Sequence, residues 1–189
     1  MKKRGLLVKI ANKIEKCKKC NLYKTRARAV PGEGSTRAKI MLVGEAPGRN
    51  EDIQGRPFVG AAGKILDKLL RSIKLKRKEI FISNILHCRP PHNRNPRAIE
   101  IKACTPYLNQ QIKIIKPKII CTLGNFATSY ILGKFGIKTK KGISKIHGKV
   151  FSIEDIKIIP LYHPAAAVYN PRMFKILLRD FKILKNSAS

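Results

Sequence analysis

The chain has 189 residues and a mass of 21.3 kDa, enough for one ordinary domain, and 43% apolar residues over that length bury a core, which excludes a disordered chain. Forty-one basic against eleven acidic side chains give a formal net charge of +30, so nucleic acid is the leading partner class and an anionic membrane surface the second. The longest run without a formal charge, residues 119–133, holds 15 residues and includes Gly124, Asn125 and Gly133, too short and too broken for a spanning helix of about 20 residues.

The first nine residues carry a basic flank, but Lys9 closes the apolar run of Leu6, Leu7 and Val8, so a secretory signal is not expected. A cytoplasmic, nucleoid-associated protein that does not enter membranes is the expectation. In that reducing setting the five cysteines read as thiols or metal ligands rather than disulfides.

In chain order, a helix is expected before Cys17, then a strand over 39–44, a helix over 62–73 and a strand over 79–84. A helix over 96–116, a strand over 118–124, a helix over 125–135, a strand over 157–163 and a helix after Pro171 complete the pattern. With no repeat, linker or low-complexity tract, a single α/β domain over 1–189 is the simplest organisation. Alternation of strand and helix predicts a parallel sheet covered on both faces. Ligands of such sheets sit beyond the carboxyl ends of the strands, which gathers Gly44 to Gly48, Asn84, Leu123-Gly124-Asn125 and His163-Pro164 on one rim.

Cys17-Lys-Lys-Cys20 can place two thiolates on one metal, and Cys88 and Cys104 flank a Pro- and Arg-rich loop of 15 residues. Cys121 falls inside an apolar strand and reads as core. Four ligands and one core cysteine is the natural partition, with zinc and an iron–sulfur cluster both open on spacing alone.

Three of the eleven acids, Glu45, Glu51 and Asp52, crowd a glycine-rich loop after the first strand. In so basic a chain, clustered carboxylates read as chemical rather than incidental. Neither the dinucleotide fingerprint nor the Walker spacing is present, which disfavours a nucleotide-fuelled enzyme. Phe58, between Pro57 and Val59, reads equally as a core anchor or as a platform for stacking a base.

Cys17-x-x-Cys20, Gly44-Glu-Ala-Pro-Gly48, Gly55-Arg-Pro-Phe-Val-Gly60, Asn84, Cys88-Arg-Pro-Pro91, Cys104 and His163-Pro-Ala-Ala166 occur in that order. Together they resemble the iron–sulfur uracil-DNA glycosylases, usually called family 4, of archaea and thermophilic bacteria. The resemblance spans about residues 14–181 and implies a three-layer α/β/α fold with a four-stranded parallel sheet. It also implies a 4Fe-4S cluster on Cys17, Cys20, Cys88 and Cys104, joining the amino-terminal segment to the region 84–104. The activity implied is monofunctional: hydrolysis of the N-glycosidic bond of deoxyuridine, leaving an abasic site for base excision repair.

Further roles follow from the resemblance. Phe58 would stack the flipped uracil, Asn84 would read N3–H and O4, and His163 would donate to O2 as negative charge develops there. Gly44 and Ala46 would line the base pocket. Ala46 and Gly48 stand where the best-known uracil glycosylases carry a water-positioning Asp and a Tyr that blocks thymine. Glu45 is therefore the candidate to position water or stabilise the sugar cation, and Glu51 the candidate to crowd C5 of the base. Arg89, Arg94 and Arg97, with His92, are candidate phosphate contacts. Ala165, Ala166 and Tyr169 belong to the loop expected to enter the minor groove. Single- and double-stranded uracil-containing DNA is the expected partner, a sliding clamp the candidate protein partner, and the monomer the expected state. Two readings compete: a glycosylase for hypoxanthine or xanthine, and a non-catalytic iron–sulfur nucleic-acid-binding module.

Overall fold

The computed structural model describes residues 2–188; Met1 and Ser189, the two ends of the expected domain, lie outside the described residues. The strands are β1 (Glu33–Gly34), β2 (Ile40–Gly44), β3 (Phe81–Asn84), β4 (Ile119–Leu123), β5 (Phe151–Ile153) and β6 (Ile156–Leu161). The helices are α1 (Lys3–Glu15), α2 (Arg49–Gln54), α3 (Ala61–Ser72), α4 (Ala98–Ile115), α5 (Asn125–Lys134), α6 (Ile143–Ile146), α7 (Ala166–Tyr169) and α8 (Arg172–Ala188). Among the described residues no helix is long and apolar enough to cross a membrane.

One mixed sheet runs in the order β1-β3-β2-β4-β6-β5. The four expected strands form its parallel centre, with Gly44 beside Asn84 and Leu123 beside Leu161 at their carboxyl ends. The expected count of four is corrected to six, because antiparallel β1 and β5 close the two edges. Neither edge strand has the apolar signature of a buried strand: β1 is two residues long, and β5 is three residues of which none is buried. The third strand also begins later than expected, since Arg77–Glu79 forms a 3-10 turn in which Glu79 accepts from the Lys76 N–H at 2.7 Å.

Side chains of the central strands alternate between two cores, as the two-residue period of a strand requires. Met41, Val43, Ile120 and Ile158 pack with α1, α4 and α5, whereas Leu42, Ile82, Cys121, Ile159 and Leu161 pack with α3 and α8. The result is a three-layer α/β/α arrangement. Both faces being buried explains why these strands read as continuous apolar runs rather than alternating ones.

Candidate functional site

A cavity of about 330 Å³ opens at the carboxyl ends of β2 and β3 and after β6. Glu45, Ala46, Gly48, Glu51, Phe58, Asn84 and His163 line it, with Ala165, Val168 and Tyr169 at the side formed by α7. Of the predicted rim, Glu45 to Gly48, Asn84 and His163 line the cavity, whereas Gly44, Leu123, Gly124, Asn125 and Pro164 do not. Asn125 does not turn its amide into the cavity; its Oδ1 accepts from the Ile143 N–H at 2.9 Å and ties down α6.

The floor depends on Gly44. A Cβ at that position would collide with Asn84 Oδ1 and stand 2.9 Å from the Phe58 ring, so only glycine lets the two side chains meet above the strand. Asn84 is 2% exposed, and its Oδ1 is buried with no hydrogen-bond partner among the described residues. An unsatisfied buried amide oxygen is costly to keep unless something else pairs with it.

Phe58 sits in the left-handed region at φ 51°, a strained place for an aromatic residue, and the surroundings hold it there. Arg77 donates to Pro57 O at 2.6 Å and to Phe58 O at 2.9 Å while pairing with Glu33 and Asp67. Gly63 makes room on α3 for the Phe58 carbonyl. Glu51 Oε1 accepts from Val59 N and Gly60 N, both at 2.8 Å, at the amino-terminal end of α3. Its second oxygen reaches the space beside Gly48 that a side chain there would fill. Arg77 and its role escape the sequence, because nothing local marks a residue whose partners lie 10 to 44 positions away.

The acidic loop is therefore partly architectural. It winds into α2 from Gly48, a helix the sequence reading did not expect; two of its three acids, Glu51 and Asp52, fall in the first turn, where the helix dipole favours them, and that spacing is the signal that could have found it. Asp52, 6% exposed, accepts from Ala27 N with both oxygens at 3.0 and 3.1 Å. Glu45 remains half-buried at the cavity, and burial raises its carboxyl above the usual carboxylate range.

The ring of His163 stacks on Phe58 with centroids 5.6 Å apart. Ala165 N donates to His163 Nδ1 at 3.1 Å, so the neutral ring carries its proton on Nε2. Burial pushes this histidine down to about 4, against the opposing influence of Glu51. The site therefore holds a neutral N–H donor.

Of the expected phosphate contacts, Arg94 forms a two-pronged pair with Glu100 at 2.5 and 3.0 Å, and Glu100 also accepts from Arg97 N at 2.8 Å. Arg89 Nε donates to Asn93 Oδ1 at 2.7 Å, while the Arg97 side chain is exposed. His92 is exposed beside them. Tyr169 is 87% exposed and Val168 41%.

Away from the cavity, Cys17, Cys20, Cys88 and Cys104 line one small pocket with Arg26, His87 and Tyr107. All are free thiols, and Cys121 lies apart, fully buried in the sheet. Arg26 donates to Cys88 Sγ at 3.0 Å and His87 N to Cys104 Sγ at 3.2 Å. Burial raises the thiols of Cys20 and Cys88 and pushes Cys104 up to about 12. Among the described residues no group of three or more His, Cys, Asp or Glu side chains is arranged to hold a metal ion.

Residues 31–182 match the uracil DNA glycosylase superfamily. A type-4 uracil-DNA glycosylase of Saccharolobus solfataricus is 50% identical over 185 residues, covering 95% of this chain and 85% of that protein. That of Sulfurisphaera tokodaii is 51% identical over 187 residues, covering 96% and 84%, and that of Archaeoglobus fulgidus 45% over 177 residues, covering 92% and 88%. The chain belongs to the type-4 uracil-DNA glycosylases.

For a type-4 glycosylase the cysteine pocket can be tested against an iron–sulfur cluster by the chemistry of its donors. Four thiols from three separate segments line it, two of them receive N–H···S bonds, and Arg26 adds a cation that offsets thiolate charge. In donor chemistry the residues fit such a group, although the thiols as placed are not gathered into a metal-holding set among the described residues.

Proposed function

We propose that this chain is a monofunctional glycosylase that hydrolyses the N-glycosidic bond of deoxyuridine in DNA, releasing uracil in base excision repair. The observation that carries this reading is the buried, unpartnered Oδ1 of Asn84 on the cavity floor. Uracil offers N3–H to that oxygen and O4 to the amide NH2, whereas cytosine presents the opposite pair and leaves both groups unmatched.

The remaining residues take roles around a base flipped into the cavity. Phe58 offers its ring for stacking. His163 Nε2–H donates to uracil O2 as the C1′–N1 bond breaks and its electron pair moves onto the base. A neutral donor suits this task, since it loses no proton before the anion forms. Water adds to C1′ and its surplus proton passes to solvent, from which the released uracil anion is protonated; Glu45, as a carboxylate, positions that water and balances the cationic sugar. Glu51, fixed through Val59 and Gly60, crowds the space beside Gly48 where a thymine methyl would lie. Among the described residues no lysine lines the cavity as a Schiff-base nucleophile, so strand cleavage by the protein itself is not expected.

Cys17, Cys20, Cys88 and Cys104 would hold a 4Fe-4S cluster, which would tie the amino-terminal segment to the loop after β3 and to α4 within a single domain. Arg89, Arg97 and the α7 residues Ala166 and Tyr169, with Ala165 before them, face the DNA. The protein acts as a monomer.

The test is end-labelled DNA carrying one uracil, hypoxanthine, xanthine, thymine or cytosine, incubated with the protein and treated with alkali. Cleavage at uracil alone supports the reading, and cleavage at hypoxanthine in preference to uracil contradicts it. A covalent adduct trapped by borohydride would overturn the monofunctional assignment.

A further inference from the structure

Between Gly136 and Val150 the chain carries five lysines, Lys138, Lys140, Lys141, Lys145 and Lys149, and no acid. All five are exposed, and among the described residues none has an ion-pair partner. A charge run of this kind is ordinarily a solvated face. Here it is fastened to the catalytic rim at three points. Ile143 N is held by Asn125, which follows Gly124, and a Cβ on Gly124 would stand 3.3 Å from that of His163. Gly148 N donates to Pro160 O at 2.8 Å, three positions before His163. His147 pairs with Asp180 at 2.6 Å and packs its ring 4.6 Å from that of Tyr162, the neighbour of His163. Between these ties Ile143 and Ile146 are buried, so the lysines ride on an anchored segment.

The sheet order places the arginine loop after β3 on one flank of the cavity and this segment beside β6 on the other. On the first flank Arg94 is already matched by Glu100, whereas the lysines of the second are unmatched. We propose that the segment 138–149 is a second phosphate-binding flank, gripping the DNA backbone on the His163 side while the uracil occupies the cavity. The inference rests on the reading of the protein as a uracil-DNA glycosylase.

The test compares two variants that lose the same charge. One carries Lys138→Ala, Lys140→Ala and Lys141→Ala; the other carries Lys113→Ala, Lys116→Ala and Lys118→Ala, three exposed lysines at the opposite end of the sheet. Affinity for a duplex containing an abasic-site analogue is measured against salt concentration, alongside single-turnover uracil release at saturating enzyme. Each lost phosphate contact flattens the slope of log K against log salt by about 0.9, so the first variant should flatten by about 2–3 and the second by less than about 0.5. Saturated uracil release should stay within about twofold in both, because neither set touches the base. Equal slopes in the two variants would overturn the proposal. Failure of the glycosylase reading would look different: the unsubstituted protein would bind DNA with the same salt dependence and release no uracil.

Discussion

Phe58 and His163 stack on each other, with ring centroids 5.6 Å apart and planes inclined by 28°. A flat base inserted between two rings needs about 7 Å, two contacts of about 3.5 Å each. The expected stacking of uracil on Phe58 therefore uses the ring surface turned to the cavity or requires the pair to part. Either way Phe58 sets the position of the histidine as well as that of the base.

Phe58→Ala should accordingly weaken binding and slow the chemical step together. Stacking is worth about 1–3 kcal/mol per base, so KM for uracil-containing DNA should rise roughly 5- to 150-fold. Steady-state kinetics with a parallel single-turnover rate separates the two effects. An unchanged single-turnover rate would show that Phe58 leaves His163 undisturbed.

Glu45 should control the acid limb of the pH profile. Its carboxyl is raised by burial, so as pH falls through that raised value the carboxylate is protonated and activity is lost, at a pH above the ordinary glutamate value of about 4.3. His163, pushed down to about 4, stays neutral over that range and contributes no limb near 6.5. The same shift acts on stability in the opposite sense. A raised carboxyl means the folded state binds the proton more tightly, so its stabilising contribution is present at low pH and is lost as pH rises through the folded value. Glu45→Gln should thus melt at a higher temperature at neutral pH while losing about 10²- to 10⁴-fold in single-turnover rate. Calorimetry and a pH–rate series check both halves.

Asp52 links the two halves of the molecule. It holds Ala27, whose neighbour Arg26 donates to Cys88 Sγ, and it adjoins Glu51, which holds the backbone beside Phe58. Asp52→Ala removes hydrogen bonding to a charged group worth about 1.5–3 kcal/mol, and at about 2–4 °C per kcal/mol the melting temperature should fall by several degrees. KM for uracil-containing DNA should rise as the Phe58 loop loosens. Melting curves and KM measured on the same preparation test the link.

The cysteine assignment predicts an asymmetry among buried thiols. Cys104→Ser should abolish the absorbance near 400 nm of an iron–sulfur cluster and cost much of the folded yield. Cys121→Ser, in the sheet, should leave that absorbance intact and reduce stability only. Absorption spectra of the two purified variants decide it.

Much of this was legible in the sequence where the signal is local. The four apolar strand runs, the strand-end positions of Asn84 and His163 and the separate status of Cys121 all follow from runs and spacings. Roles that depend on partners far along the chain were not legible. The crowded acids at 45, 51 and 52 marked the right loop, yet Asp52 is spent on Ala27 and one oxygen of Glu51 on α3, pairings that only the tertiary fold creates. Arg94 reads as a candidate phosphate contact, and its pairing with Glu100 was not legible because Glu100, six residues on, carries no sign that it folds back. Asn125 was expected on the rim and stands there, but its amide faces the lysine segment, since the turn into α5 points it away from the cavity.

The central claim is that the Asn84 amide reads uracil, and Asn84→Leu tests it most directly. The substitution keeps the side chain's approximate volume and removes a buried oxygen that none of the described residues satisfies, so folding and cluster absorbance should be preserved. Single-turnover uracil release should nevertheless fall by at least about 10²-fold. A folded Asn84→Leu protein that releases uracil at the unsubstituted rate would contradict the account.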